Sequence, residues 1–389
     1  MNYRLLPDSK TCTGCMGCVD ACPRGVLHSE YDNQGFLVTS IEEREKTCID
    51  CGLCLSACPV LELKKEDCGN RQTHQVFAAW SCNRAIRAKS ASGGFFAALA
   101  VEMLQQGWLV WGAAIDGFQV KHVFISSPDE LSALQGSKYA HGDMSGVYRT
   151  VVTQLQNGSN VLFSGLPCQC AALRLAIRGL NCDGRLIIVD IVCGGVPSNV
   201  PTKIFRKLYP DAVSVVSYRD KDEGWKSLGY HYRLKVRTNS GNVESVGQKN
   251  PITYGFVKEI FRRSSCDNCA FSRLERRSDI TIGDFWGINE FKDEHYEGIS
   301  GVMVNTPFGM NVLKSLQTIV LHSADIKAFS KFNHRLMCSK GAVANKEFKR
   351  RMFILFFAVK ECIWLPTIIL RMLFRFFELV EGAKRNHIL

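Results

Sequence analysis

Cys12-Thr13-Gly14-Cys15-Met16-Gly17-Cys18-Val19-Asp20-Ala21-Cys22-Pro23 is repeated in pattern by Cys48-Ile49-Asp50-Cys51-Gly52-Leu53-Cys54-Leu55-Ser56-Ala57-Cys58-Pro59. Both runs read C-x2-C-x2-C-x3-C-P, a spacing that suits iron–sulfur cubanes. Three thiolates on a tight loop reach three irons of one cluster. The fourth follows a longer gap and points to the partner cluster. One cluster is therefore expected on Cys12, Cys15, Cys18 and Cys58, and a second on Cys48, Cys51, Cys54 and Cys22. Gly14, Gly17 and Gly52 relax the loops where amides approach sulfides. A zinc module is the alternative, but zinc sites close with four ligands and have no use for two interleaved runs.

Val26 to Ile41 carries a turn at Asp32-Asn33-Gln34-Gly35 between apolar flanks, which predicts a hairpin. Residues 1–68 thus form a small α+β two-cluster module of ferredoxin type. The full chain has 389 residues, 46% hydrophobic and 22% charged, enough for two or three domains with their own cores. Its 18 cysteines fit metal ligation in a reducing compartment. Met1 to Lys10 shows charges and no apolar run of a signal peptide, so a cytoplasmic placement is expected. The formal charge of +11 is spread out, without the Lys/Arg stripe and interleaved aromatics of a nucleic-acid binder.

From about residue 70 the pattern alternates between strand and helix. Helices are predicted over 92–106, 143–156 and 168–178, and strands over 108–115, 120–126, 160–164 and 185–193. Further strands are expected near 212–219, 227–237, 279–282 and 301–305. The class is α/β, with a mixed sheet, in a body divided as 69–160 and 161–345. Cys168 starts a helix after a strand, Cys193 ends the next strand, and Cys266 and Cys269 form a C-x2-C pair. Two thiols at strand ends and a C-x2-C pair in a polar loop together supply four thiolates and suggest a third cluster. The alternative makes Cys168 and Cys193 core residues and leaves the pair to zinc or to nothing. Cys68, Cys82, Cys170, Cys182, Cys338 and Cys362 lack partners by spacing and read as small buried hydrophobes.

Three turns could hold an anionic cofactor: Ser92-Gly93-Gly94 ahead of a helix, Gly136-Ser137-Lys138-Tyr139, and Gly283-Asp284-Phe285-Trp286-Gly287. A nicotinamide-type G-x-G-x-x-G after a first strand is not found, nor is a Walker A sequence.

Taken in order, Ser92-Gly93-Gly94-Phe95, Gly136-Ser137-Lys138-Tyr139, Ser164-Gly165-Leu166-Pro167-Cys168-Gln169, Cys193-Gly194-Gly195-Val196-Pro197-Ser198, Cys266-Asp267-Asn268-Cys269 and Asp279 to Gly287 resemble the β-subunit family of coenzyme F420-reducing hydrogenases and dehydrogenases, with a fused ferredoxin module. The resemblance covers about residues 3–320. It implies FAD beside a [4Fe–4S] cluster held by Cys168, Cys193, Cys266 and Cys269. It also implies cofactor contacts at Ser92, Gly93, Gly94, Phe95, Ser137, Lys138, Tyr139, Ser164, Gly165, Asp284 and Trp286. Electrons would pass through clusters to a flavin that exchanges hydride with coenzyme F420 or another acceptor. Gly194 stands where the family commonly has His, and Leu166 where it has Thr. Relatives found with surface-polysaccharide enzymes imply that acceptors other than coenzyme F420 exist. The expected partner is a redox protein or a small-molecule hydride acceptor. The other class of reading is a non-catalytic electron-transfer subunit or a redox sensor that docks on a partner.

Residues 346–389 are read as amphipathic C-terminal helices, highly apolar from Arg351 to Val380. Met352 to Val359 and Cys362 to Leu370 are uncharged blocks split by Lys360 and Glu361, and Pro366 should kink the second. Neither block has the ~20 apolar residues of a spanning helix. Arg371, Arg375 and Glu378 share one helical face. Helices packed on the body are one reading; an amphipathic helix at the inner face of a membrane is the other.

Overall fold

The two cysteine loops share one backbone conformation, and it sets the N-terminal module. In the first loop, Gly14 (φ +69°) and Met16 (φ +61°) are left-handed; at the equivalent places of the second stand Asp50 (φ +56°) and Gly52 (φ +73°). Each loop relieves one left-handed position with glycine and holds a side chain at the other. That costs roughly 1–2 kcal/mol per non-glycine residue. The computed structural model that carries this detail describes residues 5–41, 48–63, 74–219, 221–222, 224–225, 233–247, 250–286, 290–339, 341 and 343–361.

Between the loops, β1 (Leu27–Tyr31) and β2 (Leu37–Ile41) form the expected antiparallel hairpin, with Leu27 opposite Ile41. The Asp32 carboxylate accepts from the amides of Gln34 and Phe36 and closes the turn. The body is built on β3 (Gln75–Ser81), β4 (Leu109–Asp116), β5 (Gln119–Ile125), β6 (Val161–Gly165), β7 (Leu186–Ile191), β8 (Ala212–Ser217), β9 (Leu234–Thr238), β10 (Val243–Val246), β11 (Ile280–Asp284), β12 (Ser300–Val304) and β13 (Ile319–Ala324). Eight of these make one mixed sheet in the order β13-β3-β12-β11-β7-β6-β4-β5. Its centre, β11-β7-β6-β4, is parallel, and both flanks are antiparallel. β8, β9 and β10 form a separate antiparallel sheet.

Helices cover both faces, as a parallel centre requires. The helix Phe95–Gln105 buries Leu99, Ala100, Met103 and Leu104 against Val110, Leu162 and Ile187. On the other face, Val147–Gln156 and Pro167–Ala176 pack on Trp111, Phe163 and Ile188. Met16 and Val19 of the ferredoxin-like module join that same core. Met16 is 1% exposed, a burial that contributes about 2 kcal/mol. The module is therefore packed into the body.

The predicted helices and strands of the centre appear within a few residues of their expected ends. β3, which pairs with β12, and β13, which pairs with β3 at the sheet edge, were not anticipated. The part of the expected 227–237 strand that is described is β9. In the C-terminal segment, the helix Lys346–Glu361 packs Phe353 and Phe357, each 1% exposed, on Ile260 and Phe261. This fits the packed alternative for its first turns and gives no support to membrane contact. Among the described residues no helix is long and apolar enough to cross a membrane. Pro366, Arg371, Arg375, Glu378, Cys362 and Cys68 lie outside the described residues. Of the remaining unpartnered cysteines, Cys170 is buried as expected, whereas Cys82 and Cys338 are exposed. Both sit in short connections outside the layers, where no neighbouring element covers them.

Candidate functional site

Sheet register brings the body cysteines to one level. Gly165 of β6 pairs with Asp190 of β7, so Cys168 and Cys193 each follow a paired position by three residues. Ile191 pairs with Ile282 of β11, so Cys193 and Asp284 stand level at adjacent strand ends. This is the carboxyl edge of the parallel strands, where ligands of open α/β sheets gather. Cys168 lies in the first turn of the helix Pro167–Ala176. Cys266 comes up from the short helix Ser264–Asp267, and Gly195 lets it approach. A Cβ on Gly195 (φ +100°) would sit 2.6 Å from Arg262 Cδ and 3.1 Å from Cys266 Cβ. The Gly195 amide donates to Cys193 Sγ at 3.3 Å, the kind of amide-to-sulfur contact that tunes cluster potentials. The buried Arg335 donates to the carbonyls of Cys266 (2.8 Å) and Gly194 (3.2 Å), pinning the C-x2-C loop to the β7 loop.

The ferredoxin-type thiols sort into two recesses. A cavity of about 360 Å³ is lined by Cys12, Cys15, Cys18 and Cys58 together with Met16, Leu27 and Val60. A smaller one of about 30 Å³ is lined by Cys22, Cys48, Cys51 and Cys54. The fourth cysteine of each run thus lines the recess of the other run. Cys15 and Cys58 are buried, while Cys51 is exposed. Burial pushes the Cys15 thiol well up and Cys18 up to about 12, with neighbouring thiols adding to the shift. Cys168 is likewise pushed well up by burial; among its neighbours Cys15 acts most strongly, then Cys269, Cys193 and Cys266. Burial takes Cys193 up to about 12. Bare thiols here hold their protons, so thiolates need compensating cationic metal. Among the described residues no three His, Cys, Asp or Glu side chains close on a single metal ion. The donors are sulfur throughout and stand around recesses, a set that fits iron–sulfur clusters.

The three cofactor motifs also meet. Lys221 Nζ donates to the carbonyls of Ser92 (2.9 Å), Arg87 (2.7 Å) and Glu297 (2.7 Å). Ser92 Oγ donates to Ile299 O at 2.7 Å. Gly93 has no room for a side chain: a Cβ would strike Ala79 O and stand 2.7 Å from Ser300 N. Gly94 (φ +85°) caps the helix Phe95–Gln105, and Phe95 is in the core, 1% exposed. Gln135 Nε2 reaches Ile86 O at 3.1 Å and Ser90 Oγ at 3.3 Å, tying the Gly136-Ser137-Lys138-Tyr139 turn to the same corner. Tyr139 stacks on Phe256 at 4.0 Å and is coupled to Arg219 and Asp284. Asp284 accepts from Arg219 (2.8 Å) and from Trp225 Nε1 (3.1 Å). Trp286 lies flat on Trp225, centroids 4.2 Å apart and planes 2° apart, and Arg219 Cζ is 5.1 Å from the centroid of the Trp286 ring. Ser164 connects through its carbonyl to His122 Nε2 at 3.0 Å, while Gly165 packs against Phe163 and Gln169.

Lys138, Tyr139 and His122 keep accessible surface, yet burial lowers Lys138 to about 7 and His122 to about 4. The buried Nδ1 atoms of His122 and His141 and the Tyr218 hydroxyl have no hydrogen-bond partner. Aromatic rings, basic side chains and unmet polar atoms gathered at this corner are a set that fits a flavin nucleotide. Arg219, Lys221, Trp225, His122 and His141 carry no motif of their own; only isolated charges after a strand could have marked them.

The family model described as coenzyme F420 hydrogenase/dehydrogenase, beta subunit N-term, matches residues 76–149, and the model of the same subunit's C terminus matches residues 158–328. A 4Fe-4S dicluster domain model matches residues 11–61. No curated protein matches the chain. Among solved structures, a chain of the F420-reducing [NiFe] hydrogenase complex from Methanosarcina barkeri is 18% identical, with a TM-score of 0.47, over 69% of this chain and 89% of that one. The chain is an iron–sulfur electron-transfer protein, and it belongs to the coenzyme F420 hydrogenase/dehydrogenase beta subunit family, with a 4Fe–4S dicluster domain placed ahead of the body.

Proposed function

We propose that the chain is an iron–sulfur flavoprotein oxidoreductase that passes electrons between its ferredoxin-type clusters and FAD. Hydride is then exchanged with coenzyme F420 or with another acceptor, of which intermediates of surface-polysaccharide metabolism are one class. The observation that carries this reading is the contact between the two cysteine systems. Cys15 is the strongest electrostatic neighbour of Cys168, and Cys58, Ala171 and Phe271 share an apolar cluster with Cys168 and Cys269. Cys12, Cys15, Cys18 and Cys58 would hold the inner cluster of the module, and Cys22, Cys48, Cys51 and Cys54 the outer one. Cys168, Cys193, Cys266 and Cys269 would hold a third, beside the flavin recess.

FAD, when bound, supplies the change from single electrons to hydride that clusters alone cannot make. The chain's own residues bind and orient. Lys221 locks the Ser92 turn, Asp284 fixes Arg219 and Trp225, and Trp225 sets the plane of Trp286. Ser137, Lys138 and Tyr139 stand in the turn that Gln135 ties to the Ser90 corner. Arg335 and Arg262 hold the C-x2-C loop against the strand edge; Arg262 Nε donates to Asp267 at 2.8 Å. A redox partner protein would supply or collect single electrons at the exposed Cys51 side.

Anaerobic purification with iron, sulfide and flavin analysis tests this. About twelve irons and one FAD per chain are expected, at about four irons per cluster. About eight irons without flavin would overturn it and leave a bare electron-transfer module. Reoxidation with coenzyme F420, NAD(P) and sugar intermediates then identifies the acceptor.

A further inference from the structure

Six arginines are buried among the described residues, and four of them face a carboxylate. Arg87 pairs with Glu294, Arg219 with Asp284, Arg262 with Glu259 and Asp267, and Arg276 with Asp190. The other two are Arg263 and Arg335, 2% and 4% exposed. Neither has a carboxylate within ion-pair distance among the described residues, and the Nε of each is buried without a hydrogen-bond partner. A charge taken out of water without a counter-charge is costly, so its place in the fold calls for a negative neighbour.

Both unpaired guanidiniums stand against cysteine loops. Arg263 donates from Nη1 to Cys12 O at 3.5 Å and from Nη2 to Leu37 O. Its Nη2 is 2.8 Å from where a Cβ on Gly14 would stand, so the glycine between Cys12 and Cys15 lets the charge come close. The other side chain at that point is His141, with Cε1 also 2.8 Å away. Asp32 lines the cavity of Cys12, Cys15, Cys18 and Cys58, but its Oδ1 is taken by the Gln34 and Phe36 amides. Arg335 donates to the carbonyls of Cys266 and Gly194, the second being the residue next to Cys193. Burial pushes the Cys193 and Cys266 thiols up, and the charge of Arg335 opposes that push at both. The recess of Cys22, Cys48, Cys51 and Cys54 differs. Its charged lining residues, Arg24 and Asp50, are exposed, where water screens them.

We infer that Arg263 and Arg335 are the fixed counter-charges of the two buried clusters. Arg263 serves the cluster on Cys12, Cys15, Cys18 and Cys58, and Arg335 the one on Cys168, Cys193, Cys266 and Cys269. The Arg335 half rests on the third cluster proposed above. A cubane on four thiolates is anionic, and one more electron makes it more so. Low dielectric resists that added charge, and a cation held beside it offsets the resistance. Each guanidinium therefore raises the potential of its own cluster. The electron comes from the redox partner, which is oxidised as the cluster is reduced. No bond forms or breaks, and no proton follows, because a guanidinium is charged already. The two arginines draw electrons inward from the exposed outer cluster to the buried pair.

The test is an EPR-monitored redox titration of the whole protein, with signals assigned through Cys51→Ala, Cys15→Ala and Cys168→Ala. Arg263→Gln keeps a donor for the Leu37 and Cys12 carbonyls and loses the charge. It should weaken electron uptake by the inner cluster roughly tenfold, a fall of ~59 mV for a one-electron couple, and leave the outer cluster unmoved. Arg263→Lys keeps the charge and should stay near the native potential. Arg335→Gln and Arg335→Lys should act in the same way on the body cluster. An inner-cluster potential unchanged in Arg263→Gln overturns the inference. So do equal falls in Arg263→Gln and Arg263→Lys, or an outer cluster that falls as far as the inner one. If Arg263→Gln assembles no inner cluster, Arg263→Met, with no polar atom to satisfy, carries the same criterion. Loss of inner-cluster iron in both, with iron kept in Arg263→Lys, supports the inference, since the charge then holds the anionic cluster. Loss in all three overturns it. About eight irons in the native protein, at about four per cluster, overturns the third-cluster reading and the Arg335 half with it. The Arg263 titration then decides the remaining half on the ferredoxin-type module alone.

Discussion

The hydroxyl of Tyr148 donates to the carbonyl oxygen of Cys15 at 2.7 Å, and this bond joins the body helix Val147–Gln156 to the middle of the first cysteine loop. Tyr148 is 1% exposed, and burial pushes its hydroxyl well above the usual tyrosine range, so it stays a donor at every working pH. Around it, Asp20 accepts from the Gly146 amide at 2.5 Å, and the Gly35 carbonyl accepts from the Asn199 amide at 2.8 Å. Tyr148→Phe keeps the packing and leaves the Cys15 carbonyl without that donor. It should lower stability by about 1–2 kcal/mol in urea unfolding. Iron content should not change, because no thiol is touched.

The crossing of the fourth cysteines predicts a crossed loss of iron. Cys22 lines the recess of Cys48, Cys51 and Cys54, and Cys58 lines that of Cys12, Cys15 and Cys18. Cys22→Ala should disturb the cluster of the second run, and Cys58→Ala that of the first. Low-temperature EPR of each reduced variant, combined with Cys51→Ala and Cys15→Ala as references, reads this. Cys22→Ala should match Cys51→Ala in the signal it removes; a match to Cys15→Ala would mean that each run closes its own cluster.

Cys168→Ala should remove about four irons, as each cluster holds about that number. The two signals of the ferredoxin-type module should remain, although the inner one is expected to shift because Cys15 adjoins Cys168. Iron content equal to that of the native protein would show that the body thiols hold no cluster.

What the sequence made legible follows from what each signal depends on. The cysteine runs were readable because ligand spacing on a tight loop is local. β6, β7 and the helices beside them were readable because buried parallel strands are continuous apolar runs. β3 was missed since its Gln75–Ser81 segment has no turn signals and finds its partners, β12 and β13, more than two hundred residues away in the chain. The motifs Ser92 to Phe95 and Asp284 to Trp286 could be named but not sorted. Only the structure separates Phe95, which fills the core, from Trp286, which stacks on Trp225 beside Arg219. His122 was invisible because alternation along β5 gives every inward residue the same signal, whatever its chemistry.

Asp284→Ala tests the pairing of Asp284 with Arg219 and Trp225. Arg219 keeps 2% of its side-chain surface and Asp284 20%, with 2.8 Å between them. Removing one partner of a buried ion pair strands the other, at a cost of about 3–5 kcal/mol; the partial exposure of Asp284 argues for the lower end. The Trp225 bond at 3.1 Å goes with it, so the parallel Trp225–Trp286 stack should loosen. Urea unfolding gives the first effect, and a change in tryptophan near-UV circular dichroism gives the second.

Lys138 also predicts how stability depends on pH. Burial lowers it to about 7 in the folded chain, against ~10.4 for an unfolded lysine. Between those values the unfolded chain binds the extra proton, so this group makes stability rise with pH from about 7 toward 10. Below about 7 the folded chain must carry the buried charge, and the full cost is present. Lys138→Met removes both the charge and its cost. The variant should therefore exceed the native protein in urea midpoint most at acidic pH. The advantage should shrink through the neutral to alkaline range and vanish where the native lysine is neutral in both states. Midpoints that differ by the same amount at every pH would mean that Lys138 stays charged in the folded chain.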